Sequence, residues 1–420
     1  MRILFIIPGA GDSFYCGNCF RDNLIAAALR RAGHDVIIMP VYLPLTHHSF
    51  KANSPLFFPA TTFYVAQKFF GTHKMPRWIE RMTSSKTALR LASSMSGATT
   101  AEGMESMTLS MITGDDPAFT QYINVMLDWI GSQDRPEVIH LSSSLLTGIA
   151  KAIRERFDIP VICSLQDEEV WIDSMNSNDA HLAWQGIRDN LHHIDRFVTT
   201  SRFYKESIIR KIPQIANVDV VYPCINSEKY ASTDYPADNV IGFFYRMNRE
   251  NGLDILAKAF VLLKRRNSVP RLKLKIGGGY TGNNRPFLKQ VRRILRPFIE
   301  DVEISDSYNL DDHAAFYRSI SVLAVPVTFC ESVGLYLCEA FAAGRPAVEP
   351  DTGSFREIVD EAGLIYSPNT SEALADALEK LLIDKALRDR CTAAALTLAH
   401  TRYNEESTAN KLIEIYNSCL

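Results

Sequence analysis

Short apolar runs rich in isoleucine, valine and phenylalanine recur along the chain, separated by longer stretches whose apolar positions repeat every three to four residues. Ile3 to Ile7 is the first run, Leu24 to Arg31 follows with helical spacing, and Val36 to Met39 is the next run. A buried strand, a helix and a second buried strand in that order predict a βαβ unit and a parallel sheet. The rhythm returns at Val138 to Leu141, Val161 to Ser164 and Phe197 to Thr200, and predicts a first domain over 1–222. A second series runs through Val240 to Phe244, Leu272 to Ile276, Val302 to Ile304, Val322 to Val325 and Ala347 to Val348, predicting another doubly wound α/β domain over 223–400. Beyond it, Tyr403 to Leu420 keeps helical period with no strand behind it, so 401–420 is expected to lay its apolar face back on the first domain. Residues 44–130 break the pattern and are read as an insert.

Two sheets facing one another leave a cleft at the carboxyl ends of their strands, which is where open α/β sheets bind ligands. The length of 420 residues suits two separately cored domains. With 46% hydrophobic and 22% charged residues, the net charge of -3 gives no global pull toward nucleic acid or anionic lipid, so partners must be argued locally. The start MRILFIIPGAGDSF has an apolar run that stops at Pro8 and Gly9, and reads as a strand rather than a signal peptide. No stretch approaches the roughly 20 apolar residues that span a bilayer. Cysteines such as Cys163, Cys330 and Cys338 lie inside apolar runs, the usage of a reduced, cytosolic protein. Cys16 and Cys19 form a lone C-x-x-C with no second pair to complete a metal site, and are read as packing residues. Residues 63–90 mix aromatics with six lysines or arginines and a single acid, Glu80. That stretch is either a solvated helical face or a peripheral contact for an anionic glycan or lipid headgroup.

The densest chemistry lies in FCESVGLYLCEAFAAGRPAV, where Glu331 and Glu339 stand eight residues apart, about 12 Å along a helix. Glu331 at the helix start suits sugar hydroxyls, and Glu339 two turns in suits a ribose diol. Gly334 between them lets a phosphate reach the N–H groups of Leu335 and Tyr336. Val333 and Leu337 place Glu339 in apolar company, where an unpaired carboxylate is costly.

The stretch ESVGLYLCEAFAAGRP resembles the E-x7-E signature of the family-4 retaining glycosyltransferases, and the likeness extends through RRAGHDV, EVIH, FFYRMNRENGLDILAKAF, KIGGGY and the closing EIYNS. The resemblance implies the GT-B fold: two Rossmann-like domains across a cleft, with a C-terminal helix crossing back to the first. It implies a nucleotide-diphosphate sugar donor held mainly by the second domain, together with Val333. It also implies a glycan, lipid-linked or small-molecule acceptor held by the first, and transfer with retention of configuration. No cofactor is implied, and since no D-x-D follows a strand, no metal either. Arg246 matches the family's diphosphate-binding arginine, Gly17 its donor-facing glycine, and Ile304 the strand end that brackets the nucleobase. Gly278, in GGG after a strand, serves either a ligand or a neighbouring backbone. Catalytic candidates are therefore Glu331, Arg246 and Asp167.

Two departures from the family stand out. Asn251 occupies the position of a lysine that usually follows the arginine, leaving Arg249 as the neighbouring cation within reach. Gln166 replaces the histidine of a His-Asp pair ahead of Asp167, so no obvious protein base remains; in retaining transfer on this fold the donor phosphate is thought to take the acceptor proton. Asp167 either orients a hydroxyl or acts as a cap, and His140 either touches the acceptor with Gln166 or is a satisfied core histidine. The alternative to an active transferase is a sugar-nucleotide-binding protein with impaired transfer.

Overall fold

A computed structural model describes residues 1–9, 15, 17–41, 104–231, 235–306 and 308–420. The basic-aromatic stretch 63–90, most of the predicted insert, and Cys16 lie outside the described residues. The described remainder of the insert folds as two helices, Glu105–Thr113 and Pro117–Ser132, whose buried Met107, Met111, Ile123 and Met126 pack into the first domain.

Among the described residues six strands form the first sheet: β1 (Arg2–Ile7), β2 (Asp35–Pro40), β3 (Val138–Leu141), β4 (Val161–Leu165), β5 (Arg196–Thr199) and β6 (Val218–Val220), in the spatial order β2-β1-β3-β4-β5-β6. Six more, β7 (Asn239–Phe244), β8 (Leu272–Gly277), β9 (Val302–Ile304), β10 (Val322–Leu323), β11 (Ala347–Pro350) and β12 (Gly363–Tyr366), form the second in the order β12-β11-β10-β7-β8-β9. Every ladder is parallel, as crossover helices require. This is the two-domain Rossmann-like GT-B architecture.

β1 shows why its sequence is an unbroken apolar run. Leu4 and Ile6 face the helices of the first domain, while Ile3, Phe5 and Ile7 face a core that continues through helix Gly17–Arg31 into the second domain. The predicted strand 322–325 is cut short at Leu323, because the N–H of Val325 donates to the buried carboxylate of Glu349 rather than to a ladder. β6 and β12, with three and four residues, carry too little apolar pattern to be predicted.

Helix Glu405–Asn417 crosses back to the first domain and packs on helix Gly17–Arg31. Its approach is fixed by the N–H of Ile225 donating to the carbonyl of Tyr403 at 2.8 Å. No described helix is long and apolar enough to cross a membrane.

Candidate active site

A cavity of about 440 Å³ opens between the two sheets, walled by Gly17, Asn18, Arg21, Asp167 and Trp171 from the first domain and by Tyr245, Arg246, Asn251, Glu331, Val333, Leu335 and Tyr336 from the second.

Glu331 sits in the loop between β10 and helix Leu335–Ala342, and its main chain is clamped from below. Its carbonyl accepts from the N–H of Ser354 at 2.9 Å. Gly353 passes so close, at φ 56, that a Cβ there would lie 2.4 Å from the Glu331 oxygen, so only glycine fits. The residue is 4% exposed and lies near the Gly334 N–H and the Tyr245 hydroxyl, while its Oε2, also buried, has no protein partner. Burial first, then the nearby charge of Asp167, pushes its pKa well above the usual carboxylate range.

Asp167 follows β4 in a left-handed conformation, φ 55, and reaches across the domain junction. It accepts from the N–H of Ser332 at 3.0 Å and from the Ser332 hydroxyl at 2.7 Å. Burial, together with the charges of Glu169 and Glu168 and against the Ser332 bonds, lifts its pKa to about 7. Two acids from opposite domains thus share one buried region, which holds fewer than two charges comfortably at neutrality.

Gly334 caps helix Leu335–Ala342 at φ 65, and the first N–H groups of any α-helix lack an intrahelical partner. Those of Leu335 and Tyr336 therefore stand at the wall that also carries Arg246. Asn251, although it lines the space, spends its amide on the loop: its Nδ2 donates to the Arg246 carbonyl at 2.8 Å and its own N–H to Asn248 Oδ1 at 3.0 Å, tying the loop that presents Arg246. Arg249 is engaged elsewhere, donating to Gln290 at 2.9 Å and lying over the Phe287 ring.

Five candidates stand back from the cavity. Glu339 is 0% exposed, and its oxygens accept from Tyr15 Oη (2.9 Å), Tyr230 Oη (2.7 Å) and Tyr317 Oη (3.2 Å) and meet His313 Nδ1 at 2.7 Å. All four positions around the carboxylate are taken by protein side chains, three from the second domain and Tyr15 from the first. Gly278 serves a neighbouring backbone, since a Cβ would lie 2.3 Å from the Tyr245 carbonyl oxygen at φ 106. Ile304 pairs with Ile276 and packs on the core. His140 is sealed between Tyr416 Oη (2.6 Å) and Ser164 Oγ (2.8 Å); burial drives its pKa down to about 3, so it is a neutral pillar under the C-terminal helix rather than an acceptor contact. Gln166 donates to the Ser142 carbonyl at 2.7 Å beneath the surface.

Against this geometry, the second sheet and its helices, residues 227–397, match the model for glycosyl transferases group 1, and residues 95–224 match the glycosyl transferase 4-like domain. The chain belongs to the family-4 GT-B glycosyltransferases. It is 30% identical over 227 residues to a D-inositol 3-phosphate glycosyltransferase from Corynebacterium urealyticum, covering 48% of this chain and 51% of that one. It is 33% identical over 132 residues to a phosphatidyl-myo-inositol mannosyltransferase from Mycobacterium leprae, covering 31% and 35%. The matches thus span about half or less of those relatives' length. Sucrose-phosphate synthase from Thermosynechococcus elongatus superposes with a TM-score of 0.72 at 16% identity, covering 100% and 99% of the two chains. Anabaena HepE in complex with UDP and glucose superposes at 0.68 and 14%, covering 100% of both. At those identities the likeness is one of fold.

The site of this glycosyltransferase also contains residues that its sequence did not single out. Tyr15, Arg21, Trp171 and Tyr245 line the cavity, and Ser332 bridges to Asp167. Tyr245 was within view, next to Arg246, but nothing in the pattern says that its hydroxyl turns to Glu331. Arg21 is buried and paired with Asp22 at 3.0 Å, one turn inside helix Gly17–Arg31. Burial lifts the Asp22 pKa to about 6, against the pull of Arg21.

Proposed function

We propose that the chain transfers a hexose-type sugar from a nucleotide-diphosphate sugar to a glycan, lipid-linked or small-molecule acceptor, with retention of configuration and without a metal ion. The observation that carries this reading is the Glu331 carboxyl: main chain clamped by Gly353 and Ser354, side chain buried at the domain cleft, one oxygen without a partner. A buried acceptor left unsatisfied is unfavourable by about 1–3 kcal/mol, and a sugar hydroxyl donating to Oε2 removes that penalty. Beside it, the Arg246 guanidinium and the N–H groups at the start of helix Leu335–Ala342 offer positive charge to a leaving diphosphate. With Gln166 beneath the surface, the reading needs no protein base: a donor phosphate oxygen takes the acceptor proton on the face from which the nucleotide leaves. Asp167, at a pKa of about 7, adds a group able to hold a hydroxyl in either protonation state.

The relatives, a D-inositol 3-phosphate glycosyltransferase and a phosphatidyl-myo-inositol mannosyltransferase, support an acceptor that is a small phosphorylated polyol or is carried by a lipid. A cytoplasmic protein meeting the membrane at its periphery suits the second case. The test is a thermal-shift panel of UDP, GDP, ADP and their hexose conjugates on the chain and on Glu331→Ala. One conjugate raising the melting temperature of the first and not of the second supports the site; no shift from any of them overturns it.

A second reading, a sugar-nucleotide-binding protein with impaired transfer, is favoured by Asn251, which spends its amide on the Arg246 carbonyl and brings no charge to the cavity. Tight donor binding with neither transfer to acceptor nor release of nucleotide selects it.

A further inference from the structure

Tyr15 lies in the first domain, yet its side chain is buried 1% exposed against the second. Its hydroxyl donates to Glu339 Oε2 at 2.9 Å and its main-chain N–H to the Gly278 carbonyl at 2.8 Å. The ring stands edge-on to Phe244 and Tyr245, each at 5.7 Å between centroids, and 5.6 Å from the ring of His313. An aromatic ring, a hydroxyl on a carboxylate and an N–H on a carbonyl are the kinds of group by which a nucleoside is recognised.

The four groups around Glu339 are not equivalent. Tyr230 and His313 meet Oε1, Tyr317 meets Oε2 at the long distance of 3.2 Å, and all three belong to the second domain. Tyr15 alone comes from across the cleft, 324 residues away in sequence, and it makes the shorter bond to Oε2. Among the described residues, a ligand entering between the domains has one side chain to displace at Glu339, and displacing it frees one acceptor position on the carboxylate.

We propose that Tyr15 is a built-in competitor for the donor: its hydroxyl holds the place of a ribose hydroxyl on Glu339, and the nucleoside of the donor binds only after Tyr15 has withdrawn. This rests on the donor-site reading above, with Glu339 as its ribose end. The plug makes the binding-competent form a minority, and apparent affinity falls by the fraction that is open. It also keeps the Glu339 carboxylate satisfied while no donor is bound, which a buried charge needs.

Isothermal titration of the whole chain with UDP, GDP and ADP, on wild type, Tyr15→Phe and Tyr15→Ala, tests it. The expected result is affinity for one nucleotide rising in the order wild type, Tyr15→Phe, Tyr15→Ala, by about tenfold overall if nine in ten molecules are plugged. Affinity unchanged or lowered in both variants, with wild type still binding that nucleotide, overturns the plug and leaves the donor site standing. No binding by any of the three overturns both. Should Tyr15→Ala melt before it can be titrated, Tyr15→Phe, which loses only the hydroxyl, decides alone. A 3-fluorotyrosine placed at position 15 gives an independent readout: its fluorine resonance must move at nucleotide saturation, and an unmoved resonance overturns the proposal.

Discussion

Glu331 and Glu339 are the two ends of one signature, eight residues apart, both buried, both carboxyl groups on the same short helix or at its threshold. Their surroundings differ completely. Glu339 is surrounded by three tyrosine hydroxyls and an imidazole, so its charge is spread over protein partners and the local structure is a closed polar network. Glu331 has a backbone N–H and one tyrosine hydroxyl on one side and nothing on the other, and it faces a second acid across the cleft. A saturated buried carboxylate acts as a keystone, whereas a half-satisfied one at a cavity wall is an unfilled binding valence. The same residue type at the same burial thus has a complete set of protein partners in one place and a half-filled set in the other, and the division lies in partners that sequence spacing does not reveal.

The sharpest way to break the comparison is to remove each carboxylate in turn. Glu339→Ala strands three buried hydroxyls and a histidine, so we expect it to lose about 3–5 kcal/mol of stability, the range for breaking a buried charged network from one side. Urea unfolding measures this, and a loss under about 1 kcal/mol would show that the network is replaceable by water. Glu331→Ala removes a carboxyl with one oxygen already unpartnered, so its effect belongs in catalysis. We expect turnover to fall by about 10²–10³, the size of losing one preorganised transition-state contact, with a melting temperature near wild type. Equal destabilisation by both substitutions would erase the distinction.

Acidity sharpens the contrast further. The Asp167 pKa is raised from its ordinary value near 4 to about 7 in the folded chain. Its contribution to stability is therefore fully present below the unfolded value and is lost as pH rises through the folded one, because the unfolded state gives up the proton first. Glu331, raised in the same direction, acts in the same sense. Over about pH 4 to 8 Asp167→Asn should flatten the fall in stability, and the difference between the two pH profiles isolates this group from all others. A difference profile that is level across that window contradicts a buried, proton-sharing pair. Donor binding at higher pH, if Arg246 and the helix N–H groups face the diphosphate, should weaken as the pair gains negative charge.

Much of the fold was legible in the sequence because parallel strands are buried on both faces and read as apolar runs, as Ile3 to Ile7 and Val240 to Phe244 do. The part of the site within reach of the sequence was the part made of loops at strand ends: Gly17, Arg246, Glu331, Val333 and Tyr336, expected from the family resemblance and the stretch around Glu331, line one cavity. What stayed hidden depends on contacts across the domain junction. Tyr15 meets Glu339, Asp167 meets Ser332, and the helix bearing Tyr416 closes over His140, each pairing residues more than 160 positions apart. No local period encodes such pairs. Gly278 and Gly353 were visible as glycines, but whether each admits a ligand or a backbone turns on a distance of two to three ångströms.

His140 supplies the gentlest test, because it resembles Glu339 in satisfaction and differs from both acids in charge. Both ring nitrogens are bonded, to Tyr416 and to Ser164, and burial keeps the ring neutral with a pKa of about 3. A depressed histidine pKa means that the unfolded chain takes up a proton first, so this stability is present above about pH 6.5 and drains away as pH falls below it, opposite in slope to Asp167. His140→Gln keeps hydrogen-bonding capacity without a titratable ring. It should therefore unfold less steeply with acid, lose about 1–2 kcal/mol at neutral pH through poorer bonds to Tyr416 and Ser164, and leave affinity for the acceptor within twofold. Were affinity to fall with stability intact, His140 would belong to the acceptor wall after all, and the C-terminal helix would be resting on something else.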